Sequence, residues 1–291
     1  MTGANDEALQ TGAVRKSIAD TLTWEQTLME THICGFDWLE ISIDESQPRL
    51  DRLTMNKKER ASLRNLSFQL ETPISTMCLS GHRRYPLGSH DTCKRNKALE
   101  IMRHAIELAG DLGVRVIQLA GYDVYYETAD DSPRGWFLEN LFQCVHMAQQ
   151  YGMMLGFETM ETSFMDTVSK AITYVDCVAS PCPWYLSGYR EPQECPSALR
   201  KRYGCRSQGG KGHIAAAHLK ETRPNVYRNL LFGDEYTEYV PCVHALYSMG
   251  VRMFTAEFWC ASPETDRSRL LQASLFLTRQ IDQAVSTCKE E

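Results

Sequence analysis

The chain has 291 residues, 43% hydrophobic and 23% charged, and its 37 acidic against 31 basic residues leave a formal net charge of −6. That length suits one large domain or two small ones, with a core big enough to need no staples. The acidic balance offers no basic stripe for nucleic acid, and no run approaches the ~18 consecutive apolar residues of a membrane span. The opening MTGANDEALQ is polar and acidic, without a basic start or an apolar core, so no secretory signal is expected. Eleven cysteines lie scattered without C-x-x-C spacing and read as reduced, structural thiols of a cytoplasmic protein.

In chain order, a weak strand candidate at Gly12 to Ile18 precedes a helix over Thr23 to Cys34, with Thr23 as its cap and Glu25 and Gln26 in its first turn. Strand-like runs then begin near Phe36 (FDWLEISI), Pro73 (PISTMCLS), Val114 (VRVIQLAG), Met153 (MMLGFET), His213 (HIAAAHL) and Val251 (VRMFTAEF). They are short, rich in Val, Ile, Leu and aromatics, and nearly unbroken in hydrophobicity, as parallel strands buried on both faces are. Gly35, Gly113, Gly152 and Gly250 precede four of them and read as helix terminators. Between them, Lys94 to Leu112 sets Ala98, Ile101, Met102, Ala105, Ile106, Leu108 and Ala109 on one helical face, and a last helix runs from about Asp266 to Ala284. The runs recur roughly every 40 residues, except for a longer gap before His213 that leaves room for one more strand near Trp184. With the weak candidate near Gly12 this makes eight strand–helix units, and the predicted fold is a single-domain α/β (β/α)8 TIM barrel over residues 1–291; a doubly wound open sheet is the competitor.

Polar residues gather where these runs end. PISTMCLS is followed by Gly81-His82-Arg83-Arg84-Tyr85, VRVIQLAG by Tyr122, Asp123, Tyr125 and Tyr126, and the later runs end in Glu158, in His218 with Lys220, and in Glu257 with Trp259. Each alone reads as well as a loop salt bridge, a core histidine or a surface charge cluster. Together they place two carboxylates and an imidazole on the face where parallel barrels do their chemistry. Such a set is both a site for a hard divalent cation and an acid/base pair.

The segments GFDWLEISIDESQPRLDRL, MCLSGHRRYPLGSHD, GVRVIQLAGYDVYYE, FETMETSFMDTVSKA, HIAAAHLKETRP, NVYRNLLFGD and AEFW resemble the L-ribulose-5-phosphate 3-epimerases, also called L-xylulose-5-phosphate 3-epimerases. These are xylose-isomerase-like TIM barrels, and the likeness covers about residues 20–180 and 211–291. It implies a metal-dependent isomerase of carbohydrate metabolism that interconverts L-xylulose 5-phosphate and L-ribulose 5-phosphate, in the chemistry of L-ascorbate degradation. By the same resemblance Glu158 and Glu257 are the catalytic pair. They double as metal ligands with His218, for Mn²⁺, Zn²⁺ or Mg²⁺. His82, Arg83, Arg84 and Lys220 are the expected substrate-binding residues. A small sugar phosphate is then the partner, with neither nucleic acid nor membrane; barrels of this kind often dimerise, so a homodimer is compatible with the chain.

Two segments depart from the family. Residues 182–212 carry six Lys/Arg, two Glu and three Cys, with no P-D-x-G-N segment to supply the family's fourth ligand, an aspartate. The first strand reads Gln10-Thr11-Gly12-Ala13-Val14-Arg15 in place of an apolar strand ending near Tyr-Glu-Lys. Compensating shifts of reading frame are one explanation; genuine divergence, with Glu191 standing in for the aspartate, is the other. Either way the expectation is an impaired member of an active family, its sixth strand damaged. The alternatives are another xylose-isomerase-like sugar-phosphate isomerase, or an inactive relic that binds sugar phosphate.

Overall fold

The computed structural model describes residues 9–160, 162–178, 183–188, 214–223, 226, 230–234, 236–259 and 266–290, with backbone only at 183–188, 266 and 288–290. Eight parallel strands close into a barrel in sequence order: β1 Gln10–Val14, β2 Trp38–Ile43, β3 Ile74–Leu79, β4 Val116–Ala120, β5 Met154–Glu158, β6 Pro183–Gly188, β7 Ile214–Leu219 and β8 Met253–Ala256. The open sheet is ruled out because β1 pairs with β8, Thr11 facing Phe254 and Ala13 facing Ala256. The helices are α1 Trp24–Ile33, the short α2 Gln47–Leu50, α3 Lys57–Gln69, α4 Thr92–Leu112, α5 Asp131–Gln150, α6 Val168–Val178, α7 Tyr239–Ser248 and α8 Asp266–Glu290.

Local chemistry accounts for these elements. Thr23 and Gln26 form a reciprocal capping box at the start of α1, and Asn56 and Glu59 form another at α3, each satisfying backbone N–H groups that the first helical turn leaves open. The face read on α4 is the buried one, joined by Leu112, and Gly113 ends the helix at φ 86°, a left-handed conformation that a side chain would strain. α8 continues past the expected end near Ala284 to Glu290.

Two expectations are revised. The weak first candidate is a full barrel strand, but it starts and ends earlier, at Gln10–Val14, and residues 15–17 turn out of the barrel as a 3₁₀ turn. The expected damage to the sixth strand does not extend to its ladder: Pro183–Gly188 pairs with β5 (Gly156 facing Trp184) and with β7 (Gly188 facing His218). Pro183 opens the strand, the position where a missing N–H is tolerated. Glu191 and the rest of the anomalous segment, 189–212, lie outside the described residues.

Alternation along the strands divides the side chains between two cores. Leu39, Ile41 and Ile43 of β2, Met77 and Leu79 of β3, and Leu155 and Phe157 of β5 pack outward under the helices in one large cluster. Val116 and Ala216, with Met154 and Met253, form a small apolar plug at the N-terminal end of the interior. Above it the interior is polar: Glu40, Thr76, Gln118 and Thr255 are buried to within 2% exposure, and the next layer holds Glu158, His218 and Glu257. An apolar floor beneath a buried polar layer holds the site.

Candidate metal and catalytic site

Glu158 is the last residue of β5, His218 the fifth of β7's six, and Glu257 follows β8 directly. One ligand atom from each lies within 4.8 Å of the others, and all three residues are buried. The three residues that the sequence singled out are therefore brought together. His218 Nδ1 faces inward to this group, 3.3 Å from Glu257 Oε2 and 4.0 Å from Glu158 Oε1.

Each member is held by a second group. Gln118 of β4 donates from Nε2 to Glu158 Oε2 through a very short hydrogen bond. The other imidazole nitrogen, His218 Nε2, sits 3.1 Å from both oxygens of Glu40 on β2, and Glu40 Oε2 accepts from Thr76 Oγ1 of β3 at 2.7 Å. The Lys16 Nζ donates to Glu257 Oε1 at 2.5 Å and the Lys220 Nζ to the same oxygen at 3.4 Å. Both ammonium groups also stand over the Trp259 ring, at 5.0 Å and 4.2 Å from its centroid.

The electrostatics follow. Burial resists ionisation of Glu257, but Lys16, Lys220 and His218 overcome it and hold the carboxyl well below its ordinary range. Burial likewise opposes a charged imidazole, yet Glu40 and Glu257 raise the His218 pKa to about 10. Lys16 is raised in spite of its burial, chiefly by Glu257. The buried carboxylates of this layer thus face two ammonium groups and the imidazole.

The expected substrate residues are distributed less evenly. Lys220 belongs to the cluster through Glu257. Arg83 lies half-buried at the rim, its guanidinium stacked over Tyr122 and Tyr125 at 5.7 and 5.0 Å. Arg84 is exposed and lies over Tyr85 at 5.3 Å. His82 is directed elsewhere: its Nε2 is 3.1 Å from the Ala98 carbonyl of α4, and burial lowers its pKa to about 4, partly offset by that carbonyl. A neutral histidine tied to a helix backbone positions the rim loop.

Three further residues of the site, Glu40, Gln118 and Lys16, escaped the sequence reading. Glu40 carried a signal, since a charged side chain in the middle of a strand buried on both faces requires a partner. Lys16 carried none beyond its place after a strand, because its partner is 241 residues away.

Comparison with known proteins agrees with this geometry. A family profile described as xylose isomerase-like TIM barrel matches residues 30–280. The L-ribulose-5-phosphate 3-epimerase UlaE of Shigella boydii serotype 18 is 36% identical over 263 residues, covering 90% of this chain and 91% of that protein. The putative L-ribulose-5-phosphate 3-epimerase SgbU of Escherichia coli K12 is 36% identical over 294 residues, covering 96% and 99%. Among solved structures, one of an L-ribulose 3-epimerase superimposes with a TM-score of 0.74 at 15% identity, covering 97% of both chains, which supports the fold. The protein is thus a carbohydrate isomerase of the epimerase type. More narrowly, the chain belongs to the xylose isomerase-like TIM-barrel family and, within it, to the L-ribulose-5-phosphate 3-epimerases.

Proposed function

We propose that the protein is a divalent-cation-dependent 3-epimerase interconverting L-xylulose 5-phosphate and L-ribulose 5-phosphate. The observation that carries the reading is the convergence of Glu158, His218 and Glu257 in one buried group at the C-terminal end of the barrel. The donor set fits a cation: two carboxylate oxygens and an imidazole nitrogen suit Mn²⁺, Mg²⁺ or Zn²⁺, and Glu158, His218 and Glu257 would hold it. Bound there, it would supply Lewis-acid polarisation of the C2 carbonyl next to the reacting carbon.

The chain's own residues do the rest. Inverting C3 needs a base on one face and an acid on the other, since a single group returning the proton to the face it left restores the starting sugar. Glu158 and Glu257, from β5 and β8, approach the central space from different sides of the barrel. One carboxylate takes the C3 proton and leaves an enediolate; the other, as its carboxylic acid, delivers a proton to the opposite face. Lys16 and Lys220 keep positive charge beside Glu257, and Arg83 and Arg84 at the rim are the expected partners of the phosphate.

No P-D-x-G-N segment follows Trp184 to supply the family's fourth ligand, an aspartate. The described donors carry two negative charges, so metal affinity and turnover are expected to be lower than in the relatives. Incubation with L-xylulose 5-phosphate and Mn²⁺ in D₂O tests the reading by NMR. Deuterium at C3 with formation of L-ribulose 5-phosphate is the expected result, and Glu158→Gln and Glu257→Gln should each lower the yield of the epimer by roughly 10²-fold or more. Metal binding without exchange would refute the epimerase reading and leave a sugar-phosphate-binding relic.

A further inference from the structure

We infer that Glu40 is a positioning residue: it holds the His218 Nε2–H so that Nδ1 is the nitrogen presented to a cation between Glu158 and Glu257. The inference rests on the metal-site reading above and deepens it. Its geometry is complete on both sides of the ring. Nδ1 faces the two glutamates, at 3.3 Å from Glu257 Oε2 and 4.0 Å from Glu158 Oε1. Nε2 lies 3.1 Å from Glu40, on the opposite edge. Glu40 is itself fixed, 1% exposed in the middle of β2, by the hydroxyl of Thr76 at 2.7 Å.

Three strands thus form a relay, Thr76 on β3 to Glu40 on β2 to His218 on β7. β2 and β7 are not neighbours in the barrel, so the contact crosses its interior. A neutral imidazole has one donor and one acceptor nitrogen, and the group facing one decides which role the other takes. Once Nδ1 gives up its proton to a cation, the Glu40 carboxylate, which only accepts, keeps the remaining N–H on Nε2. Its negative charge also raises the donor strength of the ring. No step of the epimerisation needs Glu40; without it the ring can rotate or take the other tautomer, and the three-donor group loses its neutral ligand. The buried mid-strand carboxylate in FDWLEISI has a use that packing alone does not supply.

The test is Zn²⁺ affinity, measured by chelator competition on full-length wild type, Glu40→Gln, Glu40→Ala, Thr76→Val and His218→Ala. Expected are losses of about 10- to 100-fold for the Glu40 variants, larger for Ala than for Gln, and a severalfold loss for Thr76→Val. In Zn²⁺-loaded, ¹⁵N-histidine-labelled wild type, an exchange-protected Nε2–H proton on His218 is expected, and it should lose its protection in Glu40→Ala. A space-filling role would leave Gln equal to Glu, since the two are isosteric. Affinities within twofold of wild type in every folded variant would overturn the inference; should the Glu40 variants fail to fold, unchanged affinity in Thr76→Val does so. If wild type binds Zn²⁺ no better than His218→Ala, the metal site itself is wrong, a separate outcome.

Discussion

Replacing Lys16 with Met removes the closest counter-charge of Glu257 while keeping most of the side-chain volume. Glu257 is 4% exposed and Lys16 17% exposed, so the pair is far less screened than a surface salt bridge. Breaking a buried pair by removing one partner costs about 3–5 kcal/mol. Here Lys220 at 3.4 Å and His218 at 3.3 Å still face the carboxylate, which brings the expected loss to about 2 kcal/mol at pH 7. The pH dependence carries the sharper signature. Glu257 has a lowered pKa, so its contribution is present above the unfolded value near ~4.3 and is lost as pH falls through the lower folded value. Lys16 has a raised pKa, so its contribution persists below 10.5 and is lost as pH rises beyond it. Urea unfolding of metal-free wild type and Lys16→Met across pH 3 to 9 should show a constant gap in the neutral range that narrows on the acid side. A gap below ~0.5 kcal/mol at pH 7, within the range of an exposed pair, would refute the reasoning.

Two other outcomes are open to measurement. A histidine held protonated up to about pH 10 must release a proton to become a ligand, so metal binding should liberate close to one proton at pH 7 and tighten as pH rises. Calorimetry in two buffers of different ionisation enthalpy reads that number, and zero release would refute a protonated His218 in the metal-free protein. Gly12→Ala would place a methyl carbon 2.1 Å from the indole Nε1 of Trp38, a buried ring on the paired strand, and should cost about 1–3 kcal/mol in urea unfolding. Unchanged stability would show that the indole does not lie across β1.

The barrel was legible because parallel strands buried on both faces carry an unmistakable apolar density, as in VRVIQLAG and HIAAAHL, and because helix terminators such as Gly113 mark where each begins. β1 was faint for a physical reason. Its inward position Gly12 has no side chain, the space being filled by Trp38 from β2, so its own sequence holds little of the hydrophobicity that its position buries. The convergence of Glu158, His218 and Glu257 could be read from their common place at strand ends, since the barrel gathers those ends. The groups that hold them were harder to read: Gln118 and Lys16 meet Glu158 and Glu257 from neighbouring strands of the barrel and Glu40 meets His218 across it, and although a buried mid-strand Glu40 calls for a partner, sequence separation does not say which.

Those holding groups make the two glutamates unequal. Glu257 has one oxygen, Oε1, enclosed by two ammonium groups, and only Oε2 turned toward His218. Glu158 accepts from the neutral amide of Gln118, and the Lys16 ammonium acts on it only at longer range. Two ammonium groups beside Glu257 oppose its protonation and so weaken it as a base. In the proposed reaction the two faces of C3 are therefore served by carboxyls in different surroundings, Glu257 being the one whose protonation is opposed. The exchange of the C3 proton with solvent should then differ between the two epimers, slower for the one whose proton is taken by Glu257. Glu158→Gln and Glu257→Gln would each abolish net inversion but leave wash-out of a different epimer. Identical residual exchange of both epimers in the two variants would show that the asymmetry of their surroundings has no part in the chemistry.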